Sequence, residues 1–588
     1  MAGILVFGAA LCVYLATASP AIGWLDSPEF VAASVNLGVP HSPGHPLPVL
    51  LGHLAGLIPV GDQTFRINAA SGLAGAGAAT ALWAAGRTLL GQVAPELSAR
   101  VRSALAAAVA LAFALSWASW FQAVRAEVYA LESLLLVGAM ACAIAWEGGR
   151  HPRWLLLGAL FGGLAAANHH LIAATVLVPA AALVLARGRQ ARPSARATGA
   201  AAALAMIGLA SFLYLPVRSA RHPEPDWGAP HTAERFAWTV SARAFQKSVG
   251  AERPSSMAED AGQIAVALAD DSSVPLFVLG LVGLYAGLRR RPRALFAFLG
   301  GVVALGVVAR ALVGFEPHTP DHHGYLLPAI AALMLLALAG VGALACTAIE
   351  TRPGWRRGVV AAALVLMWLT VPLQATVHGP SSELVGAGDS DRVAEMELAR
   401  LPPRAVLMPS YFETSYRLEA MRALEHARPD VALLDLGFLT YPGTAGEDRR
   451  RYPTLAPVID APLKLGRPLP LAALAATRRP VYVQLSPELD AATLTHALPV
   501  GPFALLAPET PTPAMRAAAE KSDAAWRAAA GAALAHPVDG DRDGVRNTLL
   551  WHDFNRLRFY CRDVKPTAWT PPKDGLLGGD CKLSELPE

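Results

Sequence analysis

Apolar runs of about 20 residues recur through the first two thirds of the chain, separated by short breaks that carry arginine, proline or glycine. A helix needs about 20 apolar residues to cross the hydrocarbon core of a bilayer. The runs at 3–22, 67–85, 104–120, 128–146, 154–167, 171–186, 197–217, 274–288, 294–313, 325–348 and 358–377 therefore predict about eleven transmembrane helices. The stretch 47–60 is too short to span comfortably and reads as a re-entrant or interfacial helix. After residue 377 the pattern changes. Short β-prone segments at 404–410, 431–436 and 480–485, with a helical pattern at 411–427, predict a soluble α/β domain. The expected fold class is an α-helical polytopic membrane protein with a C-terminal extracytoplasmic α/β domain, divided as 1–377 and 378–588.

Composition supports that division. The chain is 54% apolar and only 16% charged, against about 25% charged in a soluble domain. A formal charge of +4 does not point to nucleic acid. The placement of arginine is more telling than its sum. One set of alternate loops holds Arg87, Arg100 and Arg102; Arg150 and Arg153; Arg187, Arg189, Arg192 and Arg196; Arg289, Arg290, Arg291 and Arg293; and Arg352, Arg356 and Arg357. The short opposite loops hold chiefly Arg125 and Arg310. The positive-inside rule makes the first set cytoplasmic, which predicts a multi-pass protein of a bacterial-type inner (cytoplasmic) membrane. The opening run lacks a basic leader and is followed by further spans, so an uncleaved first helix is expected.

On that topology only His151 of 16 histidines is cytoplasmic, and the acids and histidines of the loops gather on the outer face. The first outer loop reads Trp24-Leu-Asp26-Ser-Pro-Glu29-Phe30. Ser27 followed by Pro28 is a good helix start, with Ser27 as the N-cap, and Gly38 is a good stop. Glu29 then has a structural use, complementing the helix dipole. Asp26 precedes the cap and has no such use, which makes it the better candidate for a general base at a membrane surface. Arg125, Arg218 and Arg221 suit an anionic phosphate, or equally lipid headgroups. Glu127 can cap a helix or serve a site. His169 and His170 occupy an outer turn, where polar groups are costly unless used.

These residues carry a resemblance. Trp24 to Phe30, then Leu37-Gly38-Val-Pro-His41-Ser-Pro43-Gly44-His45-Pro46-Leu47, then Phe65-Arg66-Ile-Asn68 resemble the signature of a protein O-mannosyltransferase-like membrane family, defined by domain of unknown function 2723. Echoes follow at Ala126-Glu127-Val128-Tyr129, Asn168-His169-His170, Tyr214-Leu215-Pro216-Val-Arg218, Asp226-Trp227-Gly228 and Tyr325-Leu-Leu-Pro328. Beyond residue 377 the likeness is loose, near Arg428-Pro429-Asp430-Val431. Pro28 departs from an expected glycine without removing a functional group. The resemblance implies a GT-C architecture and a glycosyltransferase that uses a polyprenyl-phosphate sugar, with mannose the expected sugar. Its implied roles are Asp26 as base and Glu29 as a second acid, with inversion at the anomeric carbon. Arg125, Glu127, His169, His170 and Arg218 would serve the donor phosphate. Trp24, His41, His45 and Asn68 would support the acceptor or its loop.

Other chemistry is less well marked. His318, Asp321, His322 and His323 have ligand-type side chains in no common zinc spacing. Asp539-Gly-Asp541-Arg-Asp543-Gly544 opens like a calcium loop, but Leu550 stands where the bidentate acid belongs. Cys561 and Cys581 are placed to pair in an oxidising compartment. No cofactor is fixed by these residues beyond a possible divalent cation. Expected partners are membrane lipid, a lipid-linked sugar donor and an exported protein or glycan acceptor, with no nucleic acid. A lipid or envelope-glycan acceptor, a transporter or flippase, and a non-catalytic assembly protein stay open as alternatives. Transporters place ionisable groups near the bilayer midplane, whereas these cluster at helix ends.

Overall fold

The computed structural model describes residues 1–186, 192–248, 255–289, 292–461, 467–486 and 489–533. The cysteine pair, the calcium-like loop, and Arg187, Arg189, Arg290 and Arg291 lie outside the described residues. The chain divides into two compact units. One comprises Met1–Ser19, Ser42–Tyr214 and Val240–Val385; the other comprises Pro20–His41, Leu215–Thr239 and Gly386–Glu588.

The first unit is helical. Six of its helices are long and apolar enough to cross a membrane, or up to eight spans if each sharply bent pair counts as one. The bent pairs are Ala99–Ala114 with Trp117–Ala123, at 66°, and Met257–Ser272 with Val274–Arg289, at 109°. Leu327–Thr351 lies at the centre, with 89% of its apolar window buried, whereas the window within Pro353–Ser382 is only 17% buried. Leu366, Trp368, Leu369 and Leu373 stand exposed on that outer helix. Contiguous apolar exposure of this kind suits lipid and not water. The protein is a membrane protein.

The count of spans turns on one helix. Pro152–Leu185 runs 34 residues in a continuous assignment, but His169 inside it has φ −153° and ψ 89°. A Cβ added at Gly162 would lie 2.7 Å from Leu177. In a straight helix residues so far apart in sequence would be separated by about 22 Å at 1.5 Å per residue. The helix therefore folds back on itself at His169 as an antiparallel hairpin, with two legs each too short to pass a length test alone. That turn coincides with the break expected between 167 and 171. Gln63–Val93 is long enough to span but rich in alanine and glycine, and so less apolar. Pro46–Gly56 is a short apolar helix of 11 residues.

The second unit is built on a five-stranded sheet in the order β2-β1-β3-β5-β4. Its strands are β1 Val406–Met408, β2 Ala432–Leu433, β3 Val481–Val483, β4 Ala497–Pro499 and β5 Ala504–Leu506. β1 pairs in parallel with β2 and β3, while β5 runs antiparallel to β3 and β4. All of β1, β2 and β3 is buried, which is why these segments read as continuous apolar runs and not as alternation. The helix Phe412–Glu425 packs against Ser27–Asn36. The 39–41 segment also joins this unit: Val39 N donates to Pro225 O at 2.8 Å and Trp227 N to Val39 O at 3.0 Å. Glycine is required at 38, where a Cβ would stand 2.7 Å from Pro225 O. Two segments early in sequence thus pack with the C-terminal residues.

Candidate functional site

Each unit gathers its own set of the residues singled out from sequence. In the second unit the helix starts at Ser27 with Asp26 in the N-cap position, one residue earlier than expected, and no side-chain cap is formed. Asp26 is thereby not tied to the helix end. Glu29 lies in the first turn, completely buried. It accepts the His41 backbone N–H at 2.8 Å and the ring Nδ1–H at 2.6 Å. A carboxylate can only accept, so Nδ1 carries the proton and Nε2 faces the other way. Nε2 stands 3.8 Å from Asp26 Oδ2. Two carboxylates one helical turn apart therefore flank one imidazole. The Asp26 side chain keeps 27% of its exposure and that of Glu29 none.

Aromatic rings frame this cluster. Trp227 lies edge-on to His41 at 6.2 Å and meets Phe438 at 4.2 Å and Tyr441 at 5.3 Å. The Tyr416 phenol is held well above its usual range by burial and then by the Glu29 and Asp26 carboxylates. Nothing in the sequence marked Tyr416 or Phe438, since their meeting with the first loop is a tertiary event. Trp24 is buried in the same unit. Arg218 donates from Nε to Leu37 O at 2.8 Å and from Nη2 to Asn36 O at 3.0 Å. It holds the C-terminal carbonyls of the Ser27–Asn36 helix, a use that phosphate reasoning did not foresee.

In the first unit Asn68 organises the backbone. Its Nδ2 donates to Ser19 O at 2.9 Å and its Oδ1 accepts from Ala126 N at 2.8 Å. The Arg125–Glu127 segment is held in place by that second bond. Arg125 is buried, 3.3 Å from Glu127 Oε1 and in direct contact with Asp321. Gln122 supports both partners, accepting from Arg125 at 3.2 Å and donating to Asp321 at 3.3 Å. Asp321, weighed from sequence as a metal ligand, is thus the counter-ion of Arg125. His322 accepts from Glu316 N at 2.8 Å. Burial, then Arg310 and His323, lower its pKa to about 3, so the ring stays neutral. Among the described residues, His318, Asp321 and His322 do not form one set of ligand atoms.

The hairpin turn at His169 forms a second polar knot. His45 Nδ1–H donates to Asn168 O at 2.7 Å, and His169 Nε2 meets the Tyr325 hydroxyl at 3.2 Å. Asn168 Nδ2 donates to Glu132 at 2.9 Å. His169 is buried and His170 exposed, so the adjacent histidines differ in setting. Asn168 and Tyr325 were visible in sequence only as parts of motifs, not as site residues.

Helices long and apolar enough to cross a membrane, together with a unit that sets paired carboxylates around a histidine, define a polytopic membrane protein with a candidate polar site. Comparison with known proteins narrows that class. Residues 26–194 match the family described as Protein O-mannosyl-transferase TMEM260 N-terminal domain, a match that begins at Asp26. Protein O-mannosyl-transferase TMEM260 of Mus musculus is 31% identical over 243 residues, which is 40% of this chain and 33% of that protein. The chain thus covers about a third of the length of that relative. Among solved structures, ArnT from Cupriavidus metallidurans bound to undecaprenyl phosphate aligns over 86% of this chain and 98% of its own, at 14% identity and a TM-score of 0.43. The archaeal oligosaccharyltransferase AglB from Archaeoglobus fulgidus, in complex with an inhibitory peptide and a dolichol-phosphate, aligns over 82% and 69%, at 12% identity and a TM-score of 0.44.

Proposed function

We propose that the chain is a GT-C-type membrane glycosyltransferase that moves a sugar, mannose by family resemblance, from a polyprenyl-phosphate donor to a hydroxyl of an exported protein. The observation that carries this reading is the Asp26–His41–Glu29 arrangement. One carboxylate is buried and spent on orienting the histidine. The other stays accessible beside it. The match to the O-mannosyltransferase family over 26–194 supports it.

The chemistry follows from those positions. Asp26 takes the proton of the acceptor hydroxyl as its oxygen attacks the anomeric carbon. The bond from that carbon to the phosphate oxygen breaks, and the electron pair leaves with the lipid phosphate, inverting the centre. Glu29 does not touch substrate in this scheme. It is a positioning residue that fixes the His41 tautomer, and His41 keeps a polar contact beside Asp26. The rings of Trp227, Phe438 and Tyr441 offer apolar faces for an acceptor. The arginine pattern supports placing the reaction outside the cytoplasmic membrane, with residues 378–588 on that face.

The test is sugar transfer in detergent from polyprenyl-phosphate mannose to exported proteins, comparing wild type with Asp26→Asn. Loss of about 10²- to 10⁴-fold, the usual contribution of a general base, is expected at unchanged folding. Equal transfer by both proteins would remove Asp26 as the base.

A further inference from the structure

A second cluster in the soluble unit is used by none of this chemistry. His222, Asp226 and Glu447 each present a ligand atom, all within 4.8 Å of one another. His222 Nδ1 lies 2.9 Å from Glu447 Oε2. Asp226 Oδ2 accepts from the Ser219 hydroxyl at 2.9 Å, while its Oδ1 is buried and meets no hydrogen-bond partner. His231 Nδ1 stands 3.3 Å from the same hydroxyl. Asp226 and Glu447 open onto a small pocket also lined by Trp227, Glu419, Asp435 and Asp448. Glu419 Oε2 is a second buried carboxylate oxygen without a partner there. Arg451 is the pocket's single lining cation among the described residues, and it stands 2.9 Å from Glu224.

Buried carboxylate oxygens without donors are costly, and two at one pocket, beside an imidazole, call for a cation. We propose that His222, Asp226 and Glu447 bind one divalent transition-metal cation of the zinc or manganese kind, clamping the 219–231 loop onto the helix Thr444–Arg451. One nitrogen and two carboxylate oxygens are a donor set those ions accept. Ligand atoms held about 2.0–2.2 Å from one ion lie about 3–4 Å apart, so small side-chain rotations close the set. The clamp fixes Trp227, one residue beyond Asp226, whose ring faces His41. This ion is separate in its ligands from the Asp26 carboxylate, and the inference does not depend on the transfer reaction.

The test uses the full chain in detergent, stripped with chelator and dialysed against Zn²⁺ or Mn²⁺ alone, with bound metal counted by mass spectrometry and affinity measured by calorimetry. One ion per chain is expected, with a metal-dependent rise in the unfolding temperature. Asp226→Asn and His222→Gln should each weaken binding at least tenfold, and Asp26→Asn should leave it unchanged. Absence of stoichiometric binding by wild type overturns the proposal whatever the variants do. So does binding undiminished in the folded His222→Gln/Glu447→Gln double variant, which would place the ion elsewhere.

Discussion

Among the described residues, each unit has at least one cluster that puts a cationic or basic group between two carboxylates, and the one around Arg125 differs in kind from the one around His41. In the membrane unit the central group is Arg125, always charged and wholly enclosed with Glu127 and Asp321. In the second unit it is His41, and one of its carboxylates keeps part of its exposure. A guanidinium does not titrate at any ordinary pH, whereas an imidazole is the side chain built to do so. Counting charged residues in the two segments would rank them equally; the identity of the middle residue and the exposure of one acid separate them.

The comparison breaks most sharply at Asp26. Asn in its place keeps shape and removes the base, so transfer should fall by about 10²- to 10⁴-fold while melting is unmoved. Arg125→Met should do the reverse. It leaves Glu127 and Asp321 buried without their cation, at a cost of about 3–5 kcal/mol, read as a lowered unfolding temperature in detergent. If Arg125→Met instead folds normally and only transfer is lost, the arginine belongs to the chemistry and the contrast fails. Glu29→Gln is intermediate. The His41 ring loses its anionic partner but keeps an acceptor, and transfer should drop about 10- to 100-fold, as when a carboxylate that orients a ligating histidine is removed. Its signature is a shifted pH profile, which a merely structural role would not produce.

How far these clusters could be read in advance differs for the same reason. Asp26 stood out because no local rule needed it, and at the N-cap position its side chain forms no cap hydrogen bond. Glu29 had a local use, the helix dipole, and the structure adds a nonlocal one that spacing cannot reveal. The hairpin break near His169 was legible because polar residues interrupt an apolar run, although a length-based count of spans misses it. An arginine at an outer helix end suits a phosphate on sequence grounds, and what the sequence did not reveal is that Arg218 also caps Leu37 O and Asn36 O. The strands β1, β2 and β3 were legible as apolar runs, but β4 and β5 were not, nor was the strand order, since that follows from long-range packing. Tyr416, Phe438 and the His222–Asp226–Glu447 set join residues far apart in sequence, and no periodicity or motif announces such a meeting.

The smallest expected effect concerns a third acidic region, where Arg451 lowers the Asp226 and Asp448 pKa values by less than burial raises them. Burial is the leading cause that raises Asp226 to about 8, Asp448 to about 7 and Asp435 to about 6, from an ordinary value near 3.8. Across that window the folded state holds more protons than the unfolded state. The stability penalty is therefore absent below about pH 3.8, grows as pH rises, and is complete above about pH 8. Stability, and with it the unfolding temperature, should fall between pH 5 and pH 8, the stability by at most about 1.4 kcal/mol per pH unit for each fully retained proton, and by less here because the pocket opens to solvent. Asp226→Asn should flatten the upper end of that slope, since it removes the group that titrates highest. Saturating Zn²⁺ should flatten it too, because a bound cation favours the ionised carboxylate that burial alone disfavours. Thermal melts at pH 5, 6, 7 and 8, with and without metal, decide it. A slope of opposite sign would mean that these acids are ionised and paired in the folded protein, and would return this region to the same class as the Arg125 cluster.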